Sequence, residues 1–344
     1  MNERGAVDEG RRTSVGFKSQ ITSCQLAYGI LRILVLSLTL VCSCVHHQCD
    51  PSYVGPKNRS PELLTYYSYP KYEIDAKVET LREKHRYIIQ RVEFPSAINV
   101  FGTENIKVDY YKQKKKGKFP TVLILPIYSG VDFSVTSFAD HFASHGFNCA
   151  IVHNRKGDLD NFQSADEVED YFRQNVLDNR QVLDYLVERE EVDKDRLGCL
   201  GLSLGGIRAS LLSGADERLK CAVIGVAGGS IADIAVHSSK SEIRYRMKEL
   251  ATMGANPELV HAELSDKVMT DPLNLAPYTD ARDVLMFIAM FDHVIPTKYC
   301  DKLWESYGKP EVIYLPTGHY GSFLYLPYAV CKSLDFFKAK FEIQ

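Results

Sequence analysis

A chain of 344 residues suits one large domain or two small ones, and 45% hydrophobic with 25% charged residues is an ordinary globular composition. A formal net charge of -3 leaves no basic excess, so nucleic acid is not an expected partner. A core of this size needs neither disulfides nor a structural metal, and nine cysteines are the wrong number for a simple paired framework.

The first predicted element is N-terminal. Residues 33–45 read ILVLSLTLVCSCV and follow Arg11, Arg12, Lys18 and Arg32. A membrane-spanning helix needs about 20 apolar residues. This run is shorter and has the length of a signal-peptide core. Its end, Val41-Cys42-Ser43-Cys44, resembles a bacterial lipoprotein box, with Cys44 as the residue that takes lipid. The expectation is an anchor over residues 1–44 that holds the protein at a membrane outside the cytoplasm. A secreted or periplasmic protein is the alternative. Residues 45–62, with Pro51, Gly55, Pro56 and Pro61, read as a linker in which His46, His47 and Cys49 are solvated.

The domain is expected over residues 63–344, opening with Tyr66, Tyr67, Tyr69 and Tyr72 packed on its edge. Residues 87–94 and 106–111 alternate apolar with polar side chains, as half-exposed antiparallel strands do. Lys112, Lys114, Lys115, Lys116 and Lys118 around Gly117 read as a solvated hairpin turn. Residues 121–126, TVLILP, form a continuous apolar run, the mark of a strand covered on both faces. A helix over 133–145 ended by Gly146 follows, then a strand over 147–152. Ser164 to Glu167 make a capping box that opens a long helix.

A strand over 197–202 leads into a helix from Gly205. Strands over 221–226, 284–291 and 311–315 and helices over 297–307 and 322–341 complete the pattern. Cys149, Cys199 and Cys221 fall inside apolar strands and read as buried thiols. Strands alternating with helices imply an α/β fold, a mostly parallel sheet with helices on both faces. Residues 230–281 break the alternation. So long a connection is usually functional, and a helical lid insertion over the site is the expected role.

The chemistry centres on Gly201-Leu202-Ser203-Leu204-Gly205-Gly206, directly after an apolar strand. A serine on a sharp strand-to-helix turn exposes its hydroxyl above the sheet, and small neighbours let strand and helix close on each other. The backbone N–H of Leu204 then faces a substrate oxygen at the positive end of the helix. A serine hydroxyl needs a base to become a nucleophile, and the base needs an acid to orient it. Asp292 and His319 follow the strands 284–291 and 311–315, in the chain order Ser, Asp, His. Asp292 is expected as the partner of His319 in preference to Asp280, Asp283 or Asp301. His141 and His145, four apart on a helix, lack a third ligand and read as a surface pair.

At these residues the chain resembles the α/β-hydrolase superfamily of serine hydrolases, in its dienelactone-hydrolase-like and esterase-like branches. The resemblance covers residues 87–344 and rests on the serine elbow, the Asp292-His293-Val294-Ile295-Pro296 turn and the Gly318-His319 loop. It implies a second oxyanion donor on the loop after the strand 121–126, for which the Tyr128 N–H is the choice and Ile127 the rival. That loop departs from the His-Gly pair common among lipases and esterases.

The resulting expectation is hydrolysis of an ester or thioester through an acyl-enzyme, with a small-molecule acyl substrate and no cofactor or metal. His237, Tyr245, His293 and Tyr320 are expected to line the pocket. Acyl transfer or peptide cleavage by the same triad is the alternative, although peptidases of this fold usually carry a large additional domain and the N-terminal region reads as short for one. A membrane-anchored non-catalytic binding protein is the rival from another class.

Overall fold

The computed structural model describes residues 44–155 and 162–343. The expected signal-like run, up to Ser43, lies outside the described residues. Cys44 is the one described residue of an N-terminal unit, Met1–Cys44, and all the others belong to a second unit, Val45–Gln344. No described helix is long and apolar enough to cross a membrane.

Ten strands form one mixed sheet. They are β1 (Val45–His47), β2 (Lys77–Glu83), β3 (Tyr87–Pro95), β4 (Asn105–Gln113), β5 (Phe119–Leu125), β6 (Asn148–Val152), β7 (Val192–Leu202), β8 (Cys221–Gly225), β9 (Val284–Ala289) and β10 (Glu311–Leu315). Their spatial order is β1-β10-β9-β8-β7-β5-β6-β4-β3-β2. The six central strands, β10 to β6, are parallel, while β4, β3 and β2 pair antiparallel at one edge and β1 at the other. Every residue of β6, β8 and β9 is buried, as the continuous apolar runs require of strands covered on both faces.

The helices are α1 (Pro61–Tyr66), α2 (Phe133–Ser144), α3 (Ala165–Val187), α4 (Leu204–Ala215), α5 (Ile231–His237), α6 (Ser241–Thr252), α7 (Pro257–Lys267), α8 (Pro272–Leu275), α9 (Thr297–Tyr307) and α10 (Leu326–Lys340). Successive residues of β7 show that both faces are covered. A Cβ on Gly198 would meet the Phe337 ring of α10, whereas the next residue, Cys199, points its thiol at the Ala209 carbonyl of α4, 3.6 Å away. Cys149, Cys199 and Cys221 are buried thiols, as expected. The mostly parallel sheet with helices on both faces expected from the alternation is the one observed, and it has the α/β-hydrolase form that the resemblance implied.

Several local expectations are corrected. Residues 45–62 are largely exposed, His46 and His47 among them, but they are held to the domain and are not a free linker. β1 pairs with β10, the His46 ring lies 2.8 Å from Glu311, and Asp50 N and Lys57 N donate to the Lys309 and Pro277 carbonyls. The lysine-rich turn does join β4 to β5, but it is not a hairpin, because β6 lies between those strands. β2 was not expected: all seven of its residues are exposed, so only its pairing with β3 defines it. In the capping box, Ser164 Oγ accepts from Glu167 N at 3.3 Å, while Glu167 reaches back to Gln163 N. The last helix is delayed to Leu326 by a 3₁₀ turn over Tyr320–Tyr325, and Pro327 falls in the first turn of α10, where its missing N–H costs nothing.

The insertion after β8 folds as α5 to α8. Its two ends are tied by the Asp271 carboxylate, which accepts from Ser230 N and Ile231 N at 3.0 and 2.5 Å and from Leu273 N at 2.8 Å. Burial raises the Asp271 pKa in spite of these donors.

Candidate active site

The site is built where β7 turns into α4. Ser203 has φ 53° and ψ -122°, a conformation that costs about 1–3 kcal/mol and persists only where its surroundings enforce it. Ser203 N donates to the Gly225 carbonyl of β8 at 2.8 Å, and Ile207 N donates to Ser203 O at 3.0 Å. The glycines make the turn possible. A Cβ on Gly201 would lie 2.0 Å from Gly205 O, and one on Gly205 would lie 2.0 Å from Leu125 O. No other residue fits either place without moving backbone.

Asp292 stands three residues beyond the end of β9, not directly on it. Met290 N and Phe291 N donate to the carbonyls of Leu315 and Thr317, both at 2.9 Å, and so lead the exposed turn alongside the loop that bears His319. The Asp292 carboxylate is 3% exposed as a residue and fully committed. Its Oδ1 accepts from Val294 N and Ile295 N at 2.8 and 2.9 Å, and its Oδ2 lies 2.6 Å from His319 Nδ1. His319, 9% exposed, lies 2.9 Å from Ser203 Oγ through Nε2. An ionised carboxylate only accepts, so Nδ1 carries the proton and Nε2 is left to accept from the serine hydroxyl. Ser322 Oγ donates to His319 O at 2.5 Å and steadies the loop. Behind the pair, burial and then the Asp292 charge push the Cys300 thiol well up, so it is an inert neighbour.

Leu204 is the first residue of α4, and its N–H has no acceptor within the helix. Tyr128 lies in a tight turn closed by Gly130 N donating to Ile127 O at 2.9 Å. Asn154, just past β6, holds that turn: its Nδ2 donates to Ile127 O at 2.8 Å and reaches Tyr128 O at 3.4 Å. The Asn154 Oδ1 in turn accepts from Arg208 of α4. The elbow helix and the Tyr128 loop are thus joined through one buried arginine and one asparagine. Burial lowers the Arg208 pKa, and the guanidinium remains charged.

Two cavities meet at Ser203. One, of about 240 Å³, lies under the insertion and is walled mainly by apolar side chains of α4, α5, α6 and α7. The other, of about 370 Å³, is lined by His319, Asp132, Ser129, Glu242, Tyr320 and apolar groups from the sheet. Lys240 borders both, with its ammonium 3.6 Å from the Tyr128 ring centre and 2.9 Å from Glu242.

The structure brings Ser203, Asp292, His319, Leu204 and Tyr128 together. Tyr320 lines the second cavity at its exposed rim. The other expected lining residues are corrected, since they border neither cavity. His237, at the end of α5, turns to the Tyr299 hydroxyl at 3.0 Å. Tyr245 sits 70% exposed on the outer face of α6. His293 is exposed, and it is its carbonyl that matters, accepting from Ser239 N of the insertion at 2.8 Å. Asn154, Arg208 and Lys240 were missed. Asn154 carried the signal that singled out Asp292, a polar residue closing a buried strand, and Arg208 a charge on an otherwise apolar helix. Among the described residues no group of three His, Cys, Asp or Glu side chains is disposed to hold a metal.

The chain was compared with known proteins. An uncharacterized protein of Mycobacterium tuberculosis is 30% identical over 153 residues, which are 44% of this chain and 34% of that protein. The match thus spans about a third of that relative's length. An acetyl xylan esterase from Paenibacillus sp. R4 superposes with a TM-score of 0.64 at 22% identity, covering 82% of this chain and 99% of that one. An acetyl xylan esterase from Thermoanaerobacterium sp. JW/SL YS485 gives 0.62 at 19% identity, covering 82% and 96%. These two likenesses establish the α/β-hydrolase fold. The family profile described as the prolyl oligopeptidase family matches residues 133–310, just over half of the chain and a span that holds both Ser203 and Asp292. The chain therefore belongs to the prolyl oligopeptidase family.

Proposed function

We propose that this protein is a serine hydrolase that cleaves a carboxylic ester of a small molecule through a covalent acyl-enzyme. The observation that carries the reading is the unbroken chain from Ser203 Oγ to His319 Nε2 at 2.9 Å and from His319 Nδ1 to Asp292 Oδ2 at 2.6 Å. In the first step Ser203 Oγ bonds to the carbonyl carbon as its proton passes to His319 Nε2. The N–H groups of Leu204 and Tyr128 receive the oxyanion. The carbonyl then re-forms, the ester C–O bond breaks, and the proton moves from Nε2 to the leaving alcohol. Water repeats the sequence on the acyl-enzyme and regenerates Ser203. Asp292 keeps His319 in the required tautomer and balances its charge in both halves. The insertion over residues 230–281 serves as the lid, excluding water from the oxyanion.

Fluorophosphonate labelling followed by peptide mapping tests this reading. A single adduct on Ser203, with turnover of p-nitrophenyl acetate falling on the order of a millionfold in Ser203→Ala, is expected. An adduct elsewhere, or activity kept in a folded Ser203→Ala protein, overturns it.

Family membership favours a second reading, cleavage of a peptide bond by the same groups. The two separate on the ratio of ester to anilide turnover with a common acyl part. Membrane attachment through lipid on Cys44 is a distinct proposal, supported by the sequence around that residue. An unmodified Cys44 in the mature protein, read by mass spectrometry, refutes it.

A further inference from the structure

The two cavities at Ser203 are both mainly apolar but differ in the polar groups at their walls, and the catalytic groups assign a side of the substrate to each. His319 must return its proton to the departing oxygen, so the leaving group lies on the side of His319. His319 lines the second cavity and not the first. The acyl chain of a tetrahedral intermediate points away from the leaving group, with its oxygen at the Leu204 N–H. Leu204 lines the first cavity and not the second.

The first cavity is walled mainly by apolar side chains. Ile207 comes from the elbow helix, and Ile231, Ile234, Ile243, Met247 and Leu250 come from the insertion. Its cationic members are balanced by close partners. Arg246 donates to Glu249 at 2.8 Å and to the Phe162 carbonyl at 2.6 Å, and Lys240 pairs with Glu242. Glu263, its one acidic member among the described residues, is exposed to solvent. Such a space stabilises methylenes and gives no matching charge to an acyl group with an ionised end. The second cavity adds to its apolar wall Ser129, Tyr320 and the Asp132 carboxylate, whose Oδ1 caps α2 by accepting from Ser134 N and Val135 N, while Glu242 is paired with Lys240; these groups suit a hydroxylated alcohol.

Resting on the esterase reading above, we infer that the substrate is an ester of an unbranched, medium-length fatty acid with a polar alcohol. The acyl chain lies under the insertion and the alcohol lies in the cavity beside His319. Met247 and Ile234 are specificity-determining residues for the acyl part, and Asp132 and Tyr320 for the alcohol part.

The test uses the full chain and p-nitrophenyl esters from acetate to dodecanoate, which share one leaving group. Each methylene buried in the first cavity raises kcat/KM about fourfold, so hexanoate exceeds acetate on the order of a hundredfold before the cavity fills. Met247→Trp and Ile234→Trp shift the optimum to shorter chains and lower the octanoate-to-acetate ratio about tenfold or more. Asp132→Ala and Tyr320→Ala leave the order of acyl preference alone and change the order among acetates of glycerol, ethanol and butanol. A wild-type profile that is highest at acetate and falls with every methylene overturns the inference, and this outcome needs no variant to fold. So does an exchange of roles, with Met247→Trp changing alcohol preference alone. If acetate is turned over and Ser203 takes the fluorophosphonate, either outcome rejects the inference and leaves the esterase reading standing. A chain that takes no label at Ser203 rejects that reading itself.

Discussion

The elbow helix and the insertion face each other across the same cavity and are built in opposite ways. All residues of α4, Leu204 to Ala215, are buried, and its glycines leave no room for one methyl group. In α6 the one buried residue is Arg246, and in α7 it is Leu264. Three helices of similar length therefore differ in how far they are constrained. Bond cleavage needs atoms held to a few tenths of an ångström, which close packing supplies. An acyl wall needs only apolar surface on one side, so the rest of the insertion can face water.

Changes at the rigid side have the largest expected effects. Asp292→Asn keeps the shape of the site but takes away the acceptor that holds the proton on His319 Nδ1. Its kcat is expected to fall on the order of 10⁴-fold with little change in KM. An equal rise in KM would instead mean that Asp292 acts on substrate binding. Gly205→Ala comes next. The added methyl meets Leu125 O at 2.0 Å, so the elbow must shift, with a stability loss of about 1–3 kcal/mol and a loss of fluorophosphonate labelling. Normal labelling in that variant would show the elbow to be more compliant than its packing implies.

A matched pair sharpens the contrast at smaller scale. Leu212→Ala in α4 is expected to cost about 2–5 kcal/mol in denaturant unfolding. Leu250→Ala in α6, half-buried against the cavity, should stay below about 1 kcal/mol and weaken long-chain esters instead. Equal costs would place the insertion within the core.

The smallest effect concerns acid. Burial by itself would raise Asp233 of α5, but hydrogen bonds from Lys302 and Ser230, with the charges of Lys302 and His261, bring its pKa down to about 2. A carboxyl depressed in this way stabilises the folded state only while ionised. Its contribution is complete above about pH 4, the unfolded value, and fades as pH falls toward about 2. Protection of the insertion amides from hydrogen exchange, relative to the intrinsic rate at each pH, should fall over that window, and by less in Asp233→Asn. Identical acid responses in the two proteins would remove Asp233 from the account.

Much of the site was legible in the sequence because each part announces itself locally. Ser203 is flanked by the glycines that its own turn demands. Asp292 and His319 each follow a strand whose apolar run is unmistakable, and parallel strands carry all such ends to one edge. The mostly parallel α/β sheet was legible for the same reason, since burial on both faces writes itself into the strand sequences, and the resemblance at the serine elbow, the Asp292 turn and the His319 loop implied the hydrolase form of it. Elements defined by their partners were not legible. β2 exposes every side chain and β1 has three residues, so neither bears a burial pattern, and each exists through hydrogen bonds to a partner strand, β2 to the adjacent β3 and β1 to the distant β10. The lysine turn reads as a hairpin until β6 is seen to lie between its strands.

The insertion marks the boundary between the two kinds of information. Its length and its place between β8 and β9 follow from the chain alone, and so does its position at the catalytic edge. Which of its faces meets the cavity does not. His237, Tyr245 and His293 have the chemistry of lining residues, but the rotation of α5 and α6 and the path of the Asp292 turn direct them to Tyr299 or to solvent. The isoleucines and Met247 take the wall instead. Sequence determines which groups are apolar, small or titratable, because those are properties of a side chain. Orientation is decided by packing between segments distant in the chain, and a rotation of half a helical turn exchanges wall for surface with no change in composition.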